Sequence, residues 1–295
     1  MNKVKKLFKV NPIVRKDLKV ISRSMKFSWG LFAYEAILAI IFLFIMLAVY
    51  ESNRYGSKSN TDIYEGYIAF FHIIGIAQLC MISLIVPIIT ASSISGERER
   101  QTMDVMLTTT ISPYSIVIGK ITSAVFRVMT FIIASVPLMA VSFMMGGMKW
   151  RTLFEYLVLA LIFAIFTGSI GTFCSSVFKK SIPAIIISYV IYGVIYGVTY
   201  TPLFIAAIMA NDIDDVIYVL LFDLINPVHT FLMFFYDRIS GEDFISSISY
   251  NSNYSSFTEW LFSTNVWLVL SSIVQLGVAA FFIWLAARRL RPAKK

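Results

Sequence analysis

The chain has 295 residues, of which 58% are hydrophobic and 14% are charged, and its formal net charge is +8. A soluble domain of this length needs more polar residues to cover its surface, so the composition excludes a soluble enzyme and a soluble binding domain. The basic residues are concentrated rather than spread over a solvated domain, which favours contact with lipid headgroups and argues against nucleic-acid binding.

The N-terminal segment is strongly basic. Residues 1–26 contain nine Lys or Arg and a single acid, Asp17. Asn11 can cap a helix that has Pro12 as its first residue, after which apolar and basic side chains fall on separate faces. The pattern predicts an amphipathic helix at the membrane interface within residues 1–27. A solvated basic tail is the alternative, and the separation of the two faces favours the helix.

Apolar stretches long enough to cross a hydrocarbon core of roughly 30 Å predict the membrane spans. Six are found, at residues 29–50, 63–90, 113–145, 153–178, 182–209 and 267–287. The basic N-terminal segment, the Lys179–Lys180 turn and the basic C-terminus predict that both chain ends are cytoplasmic. The fold class is therefore an all-α polytopic membrane protein, a single domain over 1–295 with spans one to five in 28–209, span six in 266–288 and a cytoplasmic tail at 289–295.

The acidic region 210–265 is predicted to be extracellular. Its apolar part, residues 216–235, is interrupted by Asp223 and by Asn226–Pro227. A seventh crossing there would also place the basic C-terminus outside. We therefore expect two short re-entrant helices in the outer leaflet before span six.

Polar side chains within the spans are predicted to pack rather than to react. A lone histidine such as His72 on an apolar helix is more often a hydrogen-bonded packing residue than a ligand, and Glu35 is expected to be locally paired or to reach the headgroups. Cys80 and Cys174 lie far apart in apolar segments, so we predict no disulfide and no metal site. The sequence has no phosphate-binding loop and no catalytic motif, which indicates a non-catalytic chain without a bound cofactor.

Span five has a regular aromatic face. Tyrosines recur at offsets of three, four and four, beside a GxxxG formed by Gly193 and Gly197; they are Tyr189, Tyr192, Tyr196 and Tyr200. One interpretation is helix packing in which each hydroxyl finds a neighbour. The other is the wall of a pathway for an amphipathic substrate. The sequence leaves the two open.

Residues 95–120 form the one long polar interruption among the first five spans. Ser95 or Gly96 can cap a new helix, acids follow in its first turn, and apolar side chains share one face. Ser112 and Pro113 then supply the start of the next helix. The pattern predicts a short amphipathic helix at 96–107 between spans two and three.

This segment carries a family resemblance. In order, it contains Glu97-Arg98-Glu99, Thr102, an apolar run ending in Leu107, Ser112-Pro113 and Gly119-Lys120, and the N-terminal segment contains Asn11-Pro12 and Lys16-Asp17-Leu18. These motifs and the six spans resemble the membrane subunits of exporter-type (type 2) ATP-binding-cassette transporters. That family usually has glycine or another small residue where this chain has Gln101.

The resemblance implies that helix 96–107 is a cytoplasmic coupling helix that docks on a separate ATPase subunit. The residues implied in docking are the charged and apolar members of that helix: Glu97, Arg98, Glu99, Arg100, Met103, Asp104, Met106 and Leu107. The pathway role of the span-five tyrosines gains support from the same resemblance.

The expected function is thus that of a permease subunit in the plasma membrane of a bacterium. Two ATPase subunits, which bind the ATP and Mg²⁺, and a second copy or a related permease would complete an exporter of amphipathic or hydrophobic substrates. The alternatives are a mechanical or signalling subunit that moves no solute, and an ATP-independent channel or carrier, against which the coupling-like segment argues.

Overall fold

A computed structural model describes residues 12–55, 60–103, 113–146, 149–209, 221–240, 260 and 263–290. Every regular element in these ranges is helical. The α-helices are α1 (Pro12–Ser22), α2 (Met25–Tyr55), α3 (Asn60–Glu99), α4 (Pro113–Gly146), α5 (Trp150–Val177), α6 (Ser181–Met209), α7 (Pro227–Ser240) and α8 (Thr264–Arg289). A short 3-10 helix, Leu221–Ile225, precedes α7.

Six of these helices, within the described ranges, are long and apolar enough to cross a membrane. The candidate spans are Met25–Glu51, Phe71–Glu99, Tyr114–Val141, Trp150–Val177, Ser181–Thr199 and Thr264–Arg289. The predicted all-α class and six spans are therefore confirmed. Large apolar side chains on their outer faces, such as Phe44, Ile182 and Val190, remain exposed, as expected of surfaces that face lipid.

Helix α5 is the most deeply buried of the six and packs against α3, α4, α6 and α8. Small residues let it approach α3 closely. A β-carbon built on Gly171 would lie 3.0 Å from Thr90 Cβ and 3.3 Å from the backbone nitrogen of Ala91. A small residue at this position therefore permits close contact between the two helices.

The 3-10 helix and α7 pack against one end of this bundle. His72 of α3 donates a hydrogen bond from Nε2 to the carbonyl of Phe235, at 2.9 Å, as predicted for a packing histidine. Tyr156 of α5 donates to the carbonyl of Gly75 at 3.1 Å in the same aromatic cluster. The helical structure is interrupted at Asn226, between the 3-10 helix and α7, as the sequence predicted.

The predicted start of a separate helix at Ser95 or Gly96 is wrong. Both residues lie inside α3, which runs without a break from Asn60 to Glu99 and is longer than the predicted span 63–90. Ser95 does not cap a new helix because its hydroxyl donates back to the carbonyl of Ala91, at 2.8 Å, within the same helix. Of the predicted helix 96–107, residues 96–99 end α3, and residues 104–107 lie outside the described ranges.

Candidate functional site

Helix α3 ends in a hydrogen-bonded turn at residues 97–102. The amide of Gln101 donates to the carbonyl of Arg98 at 3.0 Å, and the amide of Thr102 donates to that of Glu97 at 3.0 Å. This pair of bonds defines a Schellman motif, in which the residue after the helix cap takes a left-handed conformation. Gln101 has that conformation, with φ of 57°, and glycine, one of the residues usual at this position in the family it resembles, would adopt it with less strain.

An ion-pair cluster lies beside this turn. Lys120 Nζ of α4 is 2.5 Å from Glu97 Oε1 of α3 and 3.1 Å from Asp17 Oδ2 of α1. The three side chains are largely buried, with exposed fractions of 8% for Lys120, 18% for Glu97 and 12% for Asp17, so water screens the pairs only partly. One ammonium group therefore links the end of α3 to α1 and α4.

The next two residues of α3 contact the connection between α5 and α6. Arg98 Nη1 donates to the carbonyl of Phe178 at 3.3 Å. The Glu99 carboxylate accepts from the backbone nitrogen of Ser181 and from its hydroxyl, both at 2.9 Å. Ser181 is the first residue of α6, so Glu99 places a negative charge at a helix N-terminus, where the peptide dipoles favour it.

These contacts make the end of α3 a junction of five helices. We call the group Asp17, Glu97, Arg98, Glu99, Lys120 and Ser181 the charged junction. Any displacement of the α3 end would strain its bonds to α4, the end of α5 and the start of α6, and Lys120 would pass the strain on to α1 through Asp17. The arrangement can therefore pass a mechanical displacement from one short turn to most of the bundle.

The structure places the residues predicted for docking in different environments. Arg100, Gln101 and Thr102 are exposed on the turn. Met103 is 4% exposed because it packs inside the chain with Val117 of α4 and Ala286 of α8. Asp104, Met106 and Leu107 lie outside the described ranges, and Glu97, Arg98 and Glu99 have the internal partners given above.

Sequence reasoning did not assign Asp17, Lys120 or Ser181 to this site. A signal was present for two of them: Asp17 is the one acid among nine basic residues in 1–26, and Lys120 interrupts an apolar helix. A charge in such a helix requires a partner. The sequence alone does not identify the partner of either charge.

Three tyrosines of α6, Tyr189, Tyr192 and Tyr196, pack against the bundle. The hydroxyl of Tyr192 donates to the carbonyl of Thr167 of α5, and that of Tyr189 donates to the carbonyl of Leu84 of α3. The Tyr196 hydroxyl is buried without a hydrogen-bond partner in the described part of the chain, and Tyr200 is placed only by its backbone. Packing accounts for the positions of Tyr189 and Tyr192, and the pathway role of all four stays a prediction.

A second polar cluster lies between the 3-10 helix, α7 and α8. Asp223 is fully buried, and neither of its carboxyl oxygens accepts a hydrogen bond from the described residues. Its Oδ2 lies 3.7 Å from Nδ1 of His229. Burial raises the pKa of the Asp223 carboxyl to about 7 and lowers the pKa of His229 to about 4, so both groups are favoured in their neutral forms near pH 6.

We predict that Asp223→Asn stabilises the protein above neutral pH. The folded-state pKa of Asp223 is raised, so the stability that its proton supplies is lost as pH rises through about 7, and asparagine has no such loss. The variant should therefore gain about 1 kcal/mol relative to the wild type between pH 6 and pH 8. Thermal unfolding in detergent at the two pH values measures this gain. A variant less stable by the same amount at both would indicate an ionised pair with His229 instead.

Most of the chain matches a known protein family. A family model described as ABC-2 family transporter protein matches residues 50–288, which include α3 to α7, the charged residues 97–99 and nearly all of α8. No curated protein matches the sequence. Because the model covers well over half of the chain, which also has six helices able to cross a membrane, the protein belongs to the ABC-2 family of membrane transporter proteins.

Proposed function

We propose that this chain is the permease subunit of an ABC exporter, and that it couples ATP hydrolysis on a separate ATPase chain to export of an amphipathic or hydrophobic substrate. The observation that carries the proposal is the charged junction. It bonds the end of α3, next to the exposed turn, to α4, α5 and α6, and through Lys120 to α1.

The exposed turn is where the ATPase acts. Arg100, Gln101 and Thr102 offer a polar surface at the end of the longest helix, and Glu97 and Glu99 connect that end to α4 and α6. An ATPase dimer that binds the two membrane conformations with different affinities shifts their populations as it binds and hydrolyses ATP. The bonds of the junction carry that shift into the spans.

Two ATPase subunits and a second permease, identical or related, complete the transporter in this proposal. ATP and Mg²⁺ belong to the ATPase chains. The junction and both chain ends lie in the cytoplasm of a bacterial cell, because basic residues such as Arg288 and Arg289 are retained on the inner side of the plasma membrane. The non-catalytic role fits the lack of a nucleotide-binding motif in the sequence.

The double substitution Glu97→Gln with Glu99→Gln should uncouple the permease from the ATPase. Amides keep the size of the carboxylates but lose their charge at Lys120 and at the N-terminus of α6. We expect ATP hydrolysis by the copurified ATPase to continue while its effect on the spans falls at least tenfold. The measurement is the ATP-dependent fluorescence change of a bimane label at Val190→Cys, on the exposed face of α6, in a chain whose exposed Cys80 is replaced by serine.

Glu155→Gln is the matched control. Glu155 also forms ion pairs, with Arg151 and Arg238, but it lies near the start of α5, whereas the junction contacts the other end of that helix. This variant should keep the full ATP-dependent fluorescence change. If the wild type and the double variant gave equal ATP-dependent fluorescence changes, the junction would be rejected as the coupling element.

A further inference from the structure

A cavity of about 920 Å³ lies between α1, α2, α3 and α4, next to the charged junction. This volume is at the upper end of the range of roughly 300–1,000 Å³ typical of small-molecule sites. Its walls are divided into two parts. Charged residues line one part, and apolar side chains of α2, α3 and α4 line the other, among them Phe27, Ile37, Met81, Ile85, Ile88 and Phe131. The cavity is therefore amphipathic.

The charged part holds a cation, Arg127, that has no partner among the described residues. Four cations and three carboxylates line the cavity: Lys26, Arg100, Lys120, Arg127, Asp17, Glu97 and Glu99. Lys120 is shared between two carboxylates, and Glu99 accepts bonds from Ser181. Arg127 makes no hydrogen bond or ion pair within the described ranges, and its Nε is buried without an acceptor.

An arginine whose buried donor lacks an acceptor favours an anionic ligand. A buried donor without an acceptor costs about 1–3 kcal/mol, and more when it is charged. Asp17 acts on Arg127 electrostatically, but its carboxylate is already bonded to Lys120. Lys26 and Arg100 are exposed and line the same cavity, so they can add to the attraction for an anion.

The apolar part opens toward the lipid-facing side of the bundle. Ile37 is 45% exposed and Ile88 is 51% exposed, although both line the cavity. The cavity lining has open space at Gly30, because a β-carbon built on this residue has no atom within 4 Å. Helix α2 is also the least buried of the six candidate spans. An acyl chain can thus enter from the bilayer without unfolding any helix.

We propose that this cavity binds one anionic phospholipid, with its phosphate at Arg127 and an acyl chain along Ile37, Ile85 and Ile88. A phosphodiester supplies the acceptors that the guanidinium lacks, and the acyl chain packs against the apolar wall of the cavity. The site requires only a bilayer around the protein, so it does not depend on the proposed exporter function.

The test is a titration of the purified full chain in detergent with phosphatidylglycerol, with the number of bound lipids counted by native mass spectrometry. We expect one tightly bound phosphatidylglycerol per chain and at least tenfold weaker binding of phosphatidylcholine. Arg127→Gln removes the charge, and Gly30→Leu fills the cavity from a position where no atom obstructs the new side chain. Each should weaken phosphatidylglycerol binding at least tenfold.

Two matched controls separate the site from general effects of charge or size. Arg23→Gln removes an exposed basic residue, and Gly277→Leu fills an open position on α8; neither residue lines the cavity. Both should bind lipid as the wild type does. The proposal is overturned if Arg127→Gln and Gly30→Leu, folded by circular dichroism, bind as tightly as these controls. It is equally overturned if glycerol phosphate alone displaces the lipid at similar concentration.

Discussion

Lys120→Met should lower the free energy of unfolding by about 3 to 5 kcal/mol, the usual cost of removing one partner of a buried ion pair. Asp17 and Glu97 would then be two like charges that are largely buried and share no cation. Their repulsion would separate α1 from α3. The melting temperature of the purified protein should fall on the order of 10 °C.

A compensating variant distinguishes charge from lost packing. Replacing all three members, as Asp17→Asn, Glu97→Gln and Lys120→Met, leaves no unpaired charge and should recover most of the lost stability, because neutral replacements of a buried ion pair are often tolerated. Lys149→Met, an exposed lysine just before α5, should change the melting temperature little. A drop of less than 1 °C for Lys120→Met would contradict the importance of the cluster.

Gly171→Ala should lower the free energy of unfolding by about 3 kcal/mol, because the added methyl group has no space where α5 crosses α3. It would lie 3.0 Å from Thr90 Cβ and would overlap the Thr90 hydroxyl. The hydroxyl already donates to the carbonyl of Val86, at 2.8 Å, and would have to leave that bond to move away. The two helices would separate at the centre of the bundle.

Detergent-solubilised protein shows this effect as a reduced melting temperature. Thr90→Ala in the same chain should restore part of the stability by removing the hydroxyl, whereas Gly277→Ala, which meets no atom within 4 Å, should be neutral or slightly stabilising. If Gly171→Ala and Gly277→Ala had the same melting temperature, the close packing of α3 on α5 would be disproved.

The sequence predicts the spans well because each is a local property. Twenty or so apolar residues must form a helix in lipid, whatever surrounds them, and Asn226–Pro227 breaks a helix through its own chemistry. The end of α3 was missed for a different reason. Ser95 and Gly96 have the composition of a helix start, but the helix continues to Glu99 and is closed by Gln101, a residue that seldom takes a left-handed conformation.

The charged junction depends on contacts between distant parts of the chain. Glu99 meets a residue 82 positions away, and Lys120 meets Asp17 at a separation of 103. Many pairings of acids and bases would satisfy the same charges, and a single sequence does not choose among them. That Arg127 has no partner within the described ranges is likewise visible only after the carboxylates around it have been assigned to other groups.

The proposed exporter function requires above all that an ATPase subunit acts on the turn that ends α3. The most direct measurement places a benzophenone label on Thr102→Cys, in a chain whose Cys80 is serine, and identifies cross-linked proteins in native membranes after illumination. We predict an adduct with an ATPase subunit whose yield changes when ATP is added, and none from Lys149→Cys. An adduct with an ATPase at Lys149 but not at Thr102, or labelling of Thr102→Cys only from the outer side of the cell, would contradict the account.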